Sequence, residues 1–64
     1  MHKLGIDIGS RNTKIVLFDA EHGKILFSAY HATEISASRS VDILIDKMKQ
    51  QLGNIEIATS CVTG

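Results

Sequence analysis

From Asp7 to Lys14 the chain runs Asp-Ile-Gly-Ser-Arg-Asn-Thr-Lys. This short stretch holds the ingredients for binding phosphate. Gly9 lets backbone N–H groups come close to an anion. Ser10 adds a hydroxyl donor, and Lys14 adds a positive charge on a flexible arm. Asp7 supplies a carboxylate that can hold Mg²⁺, directly or through water. The same residues also suit a charged hairpin in which Asp7 merely accepts backbone bonds, so spacing alone leaves both arrangements open.

The remaining reactive side chains have simpler expectations. Cys61, alone in an apolar segment, is read as a small buried hydrophobe, as free cysteines usually are. His2, His22 and His31 fall in or beside turns and strand ends and are read as solvated or capping. No His or Cys spacing resembles a zinc site. Asp42 and Asp46 lie one helical turn apart and are expected to face solvent rather than form a catalytic pair.

Positioning the Asp7–Lys14 stretch requires particular elements. Lys3 to Ile8 is β-rich and runs into Gly9-Ser10-Arg11-Asn12, whose Gly tolerates positive φ and whose Ser and Asn bond their own backbone. Thr13 to Asp19 reads as a second strand around Ile15-Val16-Leu17-Phe18, an apolar run that suits cover on both faces. Glu21-His22-Gly23 is a second tight turn, and Lys24 to His31 a third strand. Two short connections in a row make the three strands an antiparallel meander.

Ala32 to Ser38 reads as a polar loop, with Ser38 or Ser40 as helix cap. Val41, Leu44, Ile45, Met48 and Leu52 then recur at helical spacing. Asp42 falls in the first turn, and Lys47 and Lys49 towards the end, as the helix dipole favours. Gly53 is the expected stop. Ile55 to Val62 reads as a fourth strand, returning parallel to the first. The predicted fold is α/β, βββαβ, with an antiparallel meander plus one parallel strand and sheet order 3-2-1-4. That order places Asp7 near the carboxyl end of a central strand, where open α/β sheets bind ligands.

Composition narrows the function classes. The chain has 64 residues, with Lys plus Arg equal to Asp plus Glu at 7 each. Zero net charge argues against a nucleic-acid tail or a membrane-surface patch. Aromatic content of 5% leaves little for a base-stacking surface. No apolar run approaches the ~18 residues of a membrane span. The opening residues lack the apolar core of a signal peptide. A lone cysteine then points to a reducing, cytoplasmic setting. A chain this short hides only about 60% of its unfolded surface, so a piece of a larger fold is expected.

Leu4-Gly5-Ile6-Asp7-Ile8-Gly9-Ser10, followed by Asn12-Thr13-Lys14, resembles the first phosphate motif of the actin, chaperone-ATPase and sugar-kinase superfamily. The likeness runs closest to the ATPase activators of 2-hydroxyacyl-CoA dehydratases and benzoyl-CoA reductases. Those chains open with a Gly-Ile-Asp-x-Gly-Ser-x-x-x-Lys pattern, a meander and a helix, then a strand ending in Thr-Gly, as Thr63-Gly64 does. The likeness spans essentially this whole chain and the first quarter or so of such a protein.

The resemblance implies a ribonuclease H-like (actin-like ATPase) half-domain, with residues 1–64 as the N-terminal fragment of the ATPase domain. It implies ATP and Mg²⁺ as cofactors, with Asp7 as the catalytic residue holding Mg²⁺ through water. Gly9, Ser10, Arg11, Asn12, Thr13 and Lys14 would bind the terminal phosphates. It further implies a homodimer sharing one [4Fe-4S] cluster, whose ligands lie outside this chain. The partner would be a CoA-ester dehydratase or reductase component that receives a low-potential electron.

Three other functions fit the same opening. Leu4-Gly5-Ile6-Asp7, Gly9-Ser10-Arg11 and Thr13 are similar to Holliday-junction resolvases of the ribonuclease H-like fold, where Asp7 would serve a two-metal site. A sugar or acyl kinase carries the same hairpin. A cell-division or chaperone relative would use ATP as a conformational switch.

Overall fold

A computed structural model describes residues 1–64 and contains β1 (His2–Ile8), β2 (Asn12–Asp19), β3 (Lys24–Ala32), α1 (Ala37–Leu52) and β4 (Thr59–Thr63). The strands form one mixed sheet in the order β3-β2-β1-β4. β1 pairs antiparallel with β2, β2 antiparallel with β3, and β1 parallel with β4. The α/β class, the meander and the order 3-2-1-4 therefore match the sequence expectation.

Period-two alternation sorts the strands into two faces. Leu4 and Ile6 of β1, Ile15 and Leu17 of β2, and Phe27 of β3 are buried on one face with Leu44 and Met48 of α1. The helix lies against β2 and β3. Between Leu17 and Phe18 the β2–β3 register shifts, so that Leu17 faces Phe27 but Phe18 faces Ile25. Leu26 is the extra residue of this bulge. A bulge switches the alternation, which is how Ile25 reaches one face and Phe27 the other.

Only the helix side of the sheet is covered; residues 1–64 do not supply the second cover that the Ile15–Phe18 run suits. On the open face Val16 is half-buried, while Phe18, Ile25 and Tyr30 are exposed. Cys61 is exposed as well, which overturns its expected burial. It pairs with Gly5, so its thiol shares the open face with a residue that has no side chain to cover it.

Two boundaries differ from expectation. β4 begins at Thr59, not Ile55. Ile55 and Ile57 are instead half-buried in a non-strand connection packed against the core. Their alternate spacing mimics a strand because only one side of the connection meets apolar surface. The helix starts at Ala37 after Ser36, whose side chain makes no capping bond. Ser38 and Ser40 therefore lie inside α1, and Asp42 falls beyond its first turn. Ser40 is fully buried, and its Oγ accepts the Glu34 N–H at 2.7 Å. Asp42 and Asp46 face solvent as expected. Gly53 ends the helix, with its N–H donating to the Lys49 carbonyl at 2.8 Å. No helix is long and apolar enough to cross a membrane.

Candidate functional site

The carboxyl ends of the parallel pair β1 and β4 meet at the tip of the β1–β2 hairpin. Asp7 lies opposite Lys14 on β2 and level with Thr63 on β4. All three side chains are exposed on the open face. Opposed residues of antiparallel strands have Cβ atoms about 5 Å apart, yet Asp7 and Lys14 form no ion pair. Both charges are thus left free for a ligand. Together with Gly5, Val16 and Cys61 they line a shallow concavity of about 310 Å³. An adjoining hollow of about 560 Å³ shares Gly5, Val16 and Cys61 and extends to Lys3, Phe18 and Ile25. Gly5 forms the saddle between the two, since any side chain there would rise into both.

The tip itself is an unusual hairpin. Gly9 donates its N–H to the Asn12 carbonyl at 2.9 Å. A two-residue hairpin normally makes the reciprocal bond as well, in a turn with positive φ. Ser10 and Arg11 are L-residues, and neither has positive φ. The Asn12 N–H accordingly makes no bond to Gly9. Gly9 does not use the left-handed region either, contrary to the sequence expectation. It is needed because a Cβ there would sit 2.9 Å from the Asn12 carbonyl oxygen.

The Gly9 carbonyl is satisfied from elsewhere. Thr33, just past the end of β3, donates its hydroxyl to Gly9 O at 2.8 Å and its N–H to Arg11 O at 2.8 Å. The Thr13 and Thr33 hydroxyls lie 3.0 Å apart. Thr33 has one hydroxyl proton, already placed on Gly9, so Thr13 is the donor in that pair. The N–H groups of Ser10 and Arg11 have no protein acceptor. They are free backbone donors at the tip, beside the exposed side chains of Ser10, Arg11 and Asn12.

The predicted site residues therefore divide. Asp7 and Lys14 share the concavity, whereas Ser10, Arg11 and Asn12 are exposed at the hairpin tip beside it and do not line it. Gly9 contributes closure of the hairpin rather than a free N–H. Thr13 is fully buried on the helix side, so its side chain does not reach the open face. Thr33, Gly5 and Thr63 belong to the site but were not singled out for it by the sequence.

A separate cluster occupies the opposite end of the sheet. Ligand atoms of Asp19, Glu21 and His22 lie within 4.8 Å of one another. The Asp19 carboxylate is already engaged there. Its Oδ1 accepts the N–H groups of Glu21 at 3.0 Å and His22 at 3.3 Å, and its Oδ2 accepts from His22 Nδ1 at 2.7 Å. A carboxylate can only accept, so Nδ1 carries the proton. The imidazole bond, followed by the backbone donors, holds the Asp19 carboxyl below the usual carboxylate range. The cluster closes the β2–β3 turn.

The donor set at the hairpin tip fits Mg²⁺ and phosphate: a free carboxylate, a free ammonium, a hydroxyl and two unengaged N–H groups. It does not fit an iron–sulfur cluster, which takes several thiolates, whereas Cys61 is the only cysteine. Comparison of this chain with protein-family models, with curated proteins and with solved structures finds no match.

Proposed function

We propose that the β1–β2 hairpin is the first phosphate-binding element of an ATP-dependent activator with a ribonuclease H-like, actin-like ATPase fold. The observation that carries this reading is the convergence of Asp7, Lys14 and Thr63 on one concavity, at the carboxyl ends of a parallel strand pair and next to a hairpin tip with free N–H donors. In this reading Asp7 holds Mg²⁺ through water. The Ser10 and Arg11 amides and the Ser10 hydroxyl donate to the terminal phosphate oxygens. Lys14 offsets the negative charge that builds up as the phosphoryl group moves, which is where fixed cations contribute most. The finer assignment, an activator that drives an electron from a [4Fe-4S] cluster towards a CoA-ester dehydratase or reductase, rests on the resemblance of Gly5-Ile6-Asp7, Gly9-Ser10, Lys14 and Thr63-Gly64. Cluster ligands, adenine pocket and second phosphate hairpin would come from chain outside these residues.

A nuclease with two metals needs neighbouring carboxylates to hold them. The residue facing Asp7 is Lys14, which favours phosphate over that alternative. A kinase shares the hairpin and differs in where the phosphoryl group goes.

The test is a ¹H–¹⁵N NMR titration of the 64-residue chain with ATP, with and without Mg²⁺. Weak, millimolar binding should move the Ser10, Arg11 and Lys14 amides, and Asp7→Asn should remove the Mg²⁺-dependent part. Shifts confined to other residues, or none, would overturn the reading. In the complete ATPase, Asp7→Asn should lower hydrolysis by about two orders of magnitude or more. Transfer of the phosphoryl group to a small-molecule acceptor would replace the activator by a kinase.

A further inference from the structure

We infer that Thr33 is the positioning residue of the phosphate hairpin, standing in for the hydrogen bond that the Ser10-Arg11 turn cannot make; the inference rests on the phosphate reading above. The tip has one closing bond of its own, from Gly9 N to Asn12 O. Its reciprocal is missing because neither loop residue adopts positive φ. Without a second tie, the Gly9 and Arg11 carbonyls would turn freely; the Ser10 N–H would turn with the Gly9 carbonyl in one peptide plane, and the Arg11 N–H, in the plane between, would lose its two fixed neighbours.

Thr33 fixes both carbonyls at once. Its hydroxyl holds Gly9 O and its N–H holds Arg11 O, each at 2.8 Å. The peptide planes on either side of the Ser10-Arg11 pair are thereby set: the Ser10 N–H, opposite the Gly9 carbonyl across a trans peptide, is held facing away from Thr33, and the Arg11 N–H lies in the one plane between two that are fixed. The strut is itself anchored. Thr13, fully buried, donates to the Thr33 hydroxyl, and the Glu34 N–H is bonded to the buried Ser40 Oγ of α1. A donor pair fixed before the anion arrives binds more tightly than one ordered by binding.

The test compares wild type, Thr33→Ser, Thr33→Val and the double variant Thr13→Val with Thr33→Val. Thr33→Val alone leaves the buried Thr13 hydroxyl without its partner and is expected to destabilise the chain. The double variant removes both hydroxyls and avoids that orphan. Two quantities are read in each: the order of the Ser10 and Arg11 amides by ¹⁵N relaxation, and the affinity for inorganic tripolyphosphate with Mg²⁺. In the double variant the tip amides should become mobile, and affinity should fall about three- to tenfold, the worth of one hydrogen bond. Thr33→Ser should retain both properties. Tip amides as ordered in the double variant as in wild type would overturn the inference, as would unchanged affinity. A wild-type chain that ignores tripolyphosphate, with a double variant that still loosens, would overturn the phosphate reading and with it the positioning role, leaving Thr33 a turn tie.

Discussion

The two hairpin turns of this sheet solve the same problem in opposite ways. The β2–β3 turn is closed by its own residues. Asp19 gathers two backbone N–H groups and the His22 imidazole, and Gly23 takes φ 63 without strain. The β1–β2 turn is closed from a distance: Thr33 is 24 residues from the Gly9 it holds. The first arrangement engages the amides of Glu21 and His22. The second leaves the Ser10 and Arg11 amides without acceptors, next to an unpaired carboxylate and an unpaired ammonium. A turn that satisfies itself has little left to offer a ligand. A turn held from behind keeps its donors available, and that difference separates a structural corner from a candidate site.

Glycine substitutions give the largest contrast. At Gly9 an added Cβ meets the Asn12 carbonyl oxygen at 2.9 Å, and that atom is backbone, which cannot swing aside. Gly9→Ala should force the strands apart at the tip and cost about 1–3 kcal/mol, as overpacking does. At Gly23 nothing lies within 4 Å of the added Cβ, but φ is +63. Gly23→Ala should cost about 1 kcal/mol, the penalty of an L-residue in the left-handed region. Gly23→Asn should recover part of it, since Asn visits that region more readily. Denaturant midpoints at constant slope measure all three. A Gly9→Ala chain as stable as wild type would mean that the tip is not held shut, and the contrast between the turns would fail.

The two turns also differ in how much of them can be read from sequence. Asp19, Glu21, His22 and Gly23 are near neighbours, so the turn is visible in a five-residue window. Asp7, Ser10 and Lys14 are visible for the same reason, and period-two alternation correctly brings Asp7 and Lys14 to one face. Thr33 is hidden by the bulge. Counted outward from the β2–β3 turn with no extra residue, Thr33 would fall opposite Ser10. Leu26 displaces the register by one, and Thr33 arrives at Arg11 instead. Nothing in the Ile25-Leu26-Phe27 run marks which residue bulges, because all three are apolar. A related ambiguity hides the start of β4: Ile55 and Ile57 alternate like a strand while packing against the core from a non-strand connection. Cys61 reads as buried from its apolar neighbours along the chain, but such neighbours imply burial only when both faces of the sheet are covered, and Cys61 is exposed.

The smallest expected effect is a dependence on pH confined to one turn. Asp19 has its carboxyl lowered, first by the hydrogen bond from His22 and then by the backbone donors of His22 and Glu21. A carboxyl depressed in the folded chain stabilises the fold above its ordinary pKa, and the contribution is lost as pH falls through the folded value. The turn should therefore be fully supported at neutral pH and weaken below about pH 4. The tie at the other hairpin runs through hydroxyl, amide and carbonyl groups alone, none of which titrates in that range. Amide exchange followed by NMR should show the Glu21 and His22 N–H groups losing protection on acidification, while the Thr33 N–H, bonded to the Arg11 carbonyl, keeps its own. Asp19→Asn should abolish the pH step at the first pair and leave Thr33 unchanged. Simultaneous loss of protection at both hairpins, in wild type and variant alike, would mean that acid unfolds the sheet as one unit and that the two turns are not independently held.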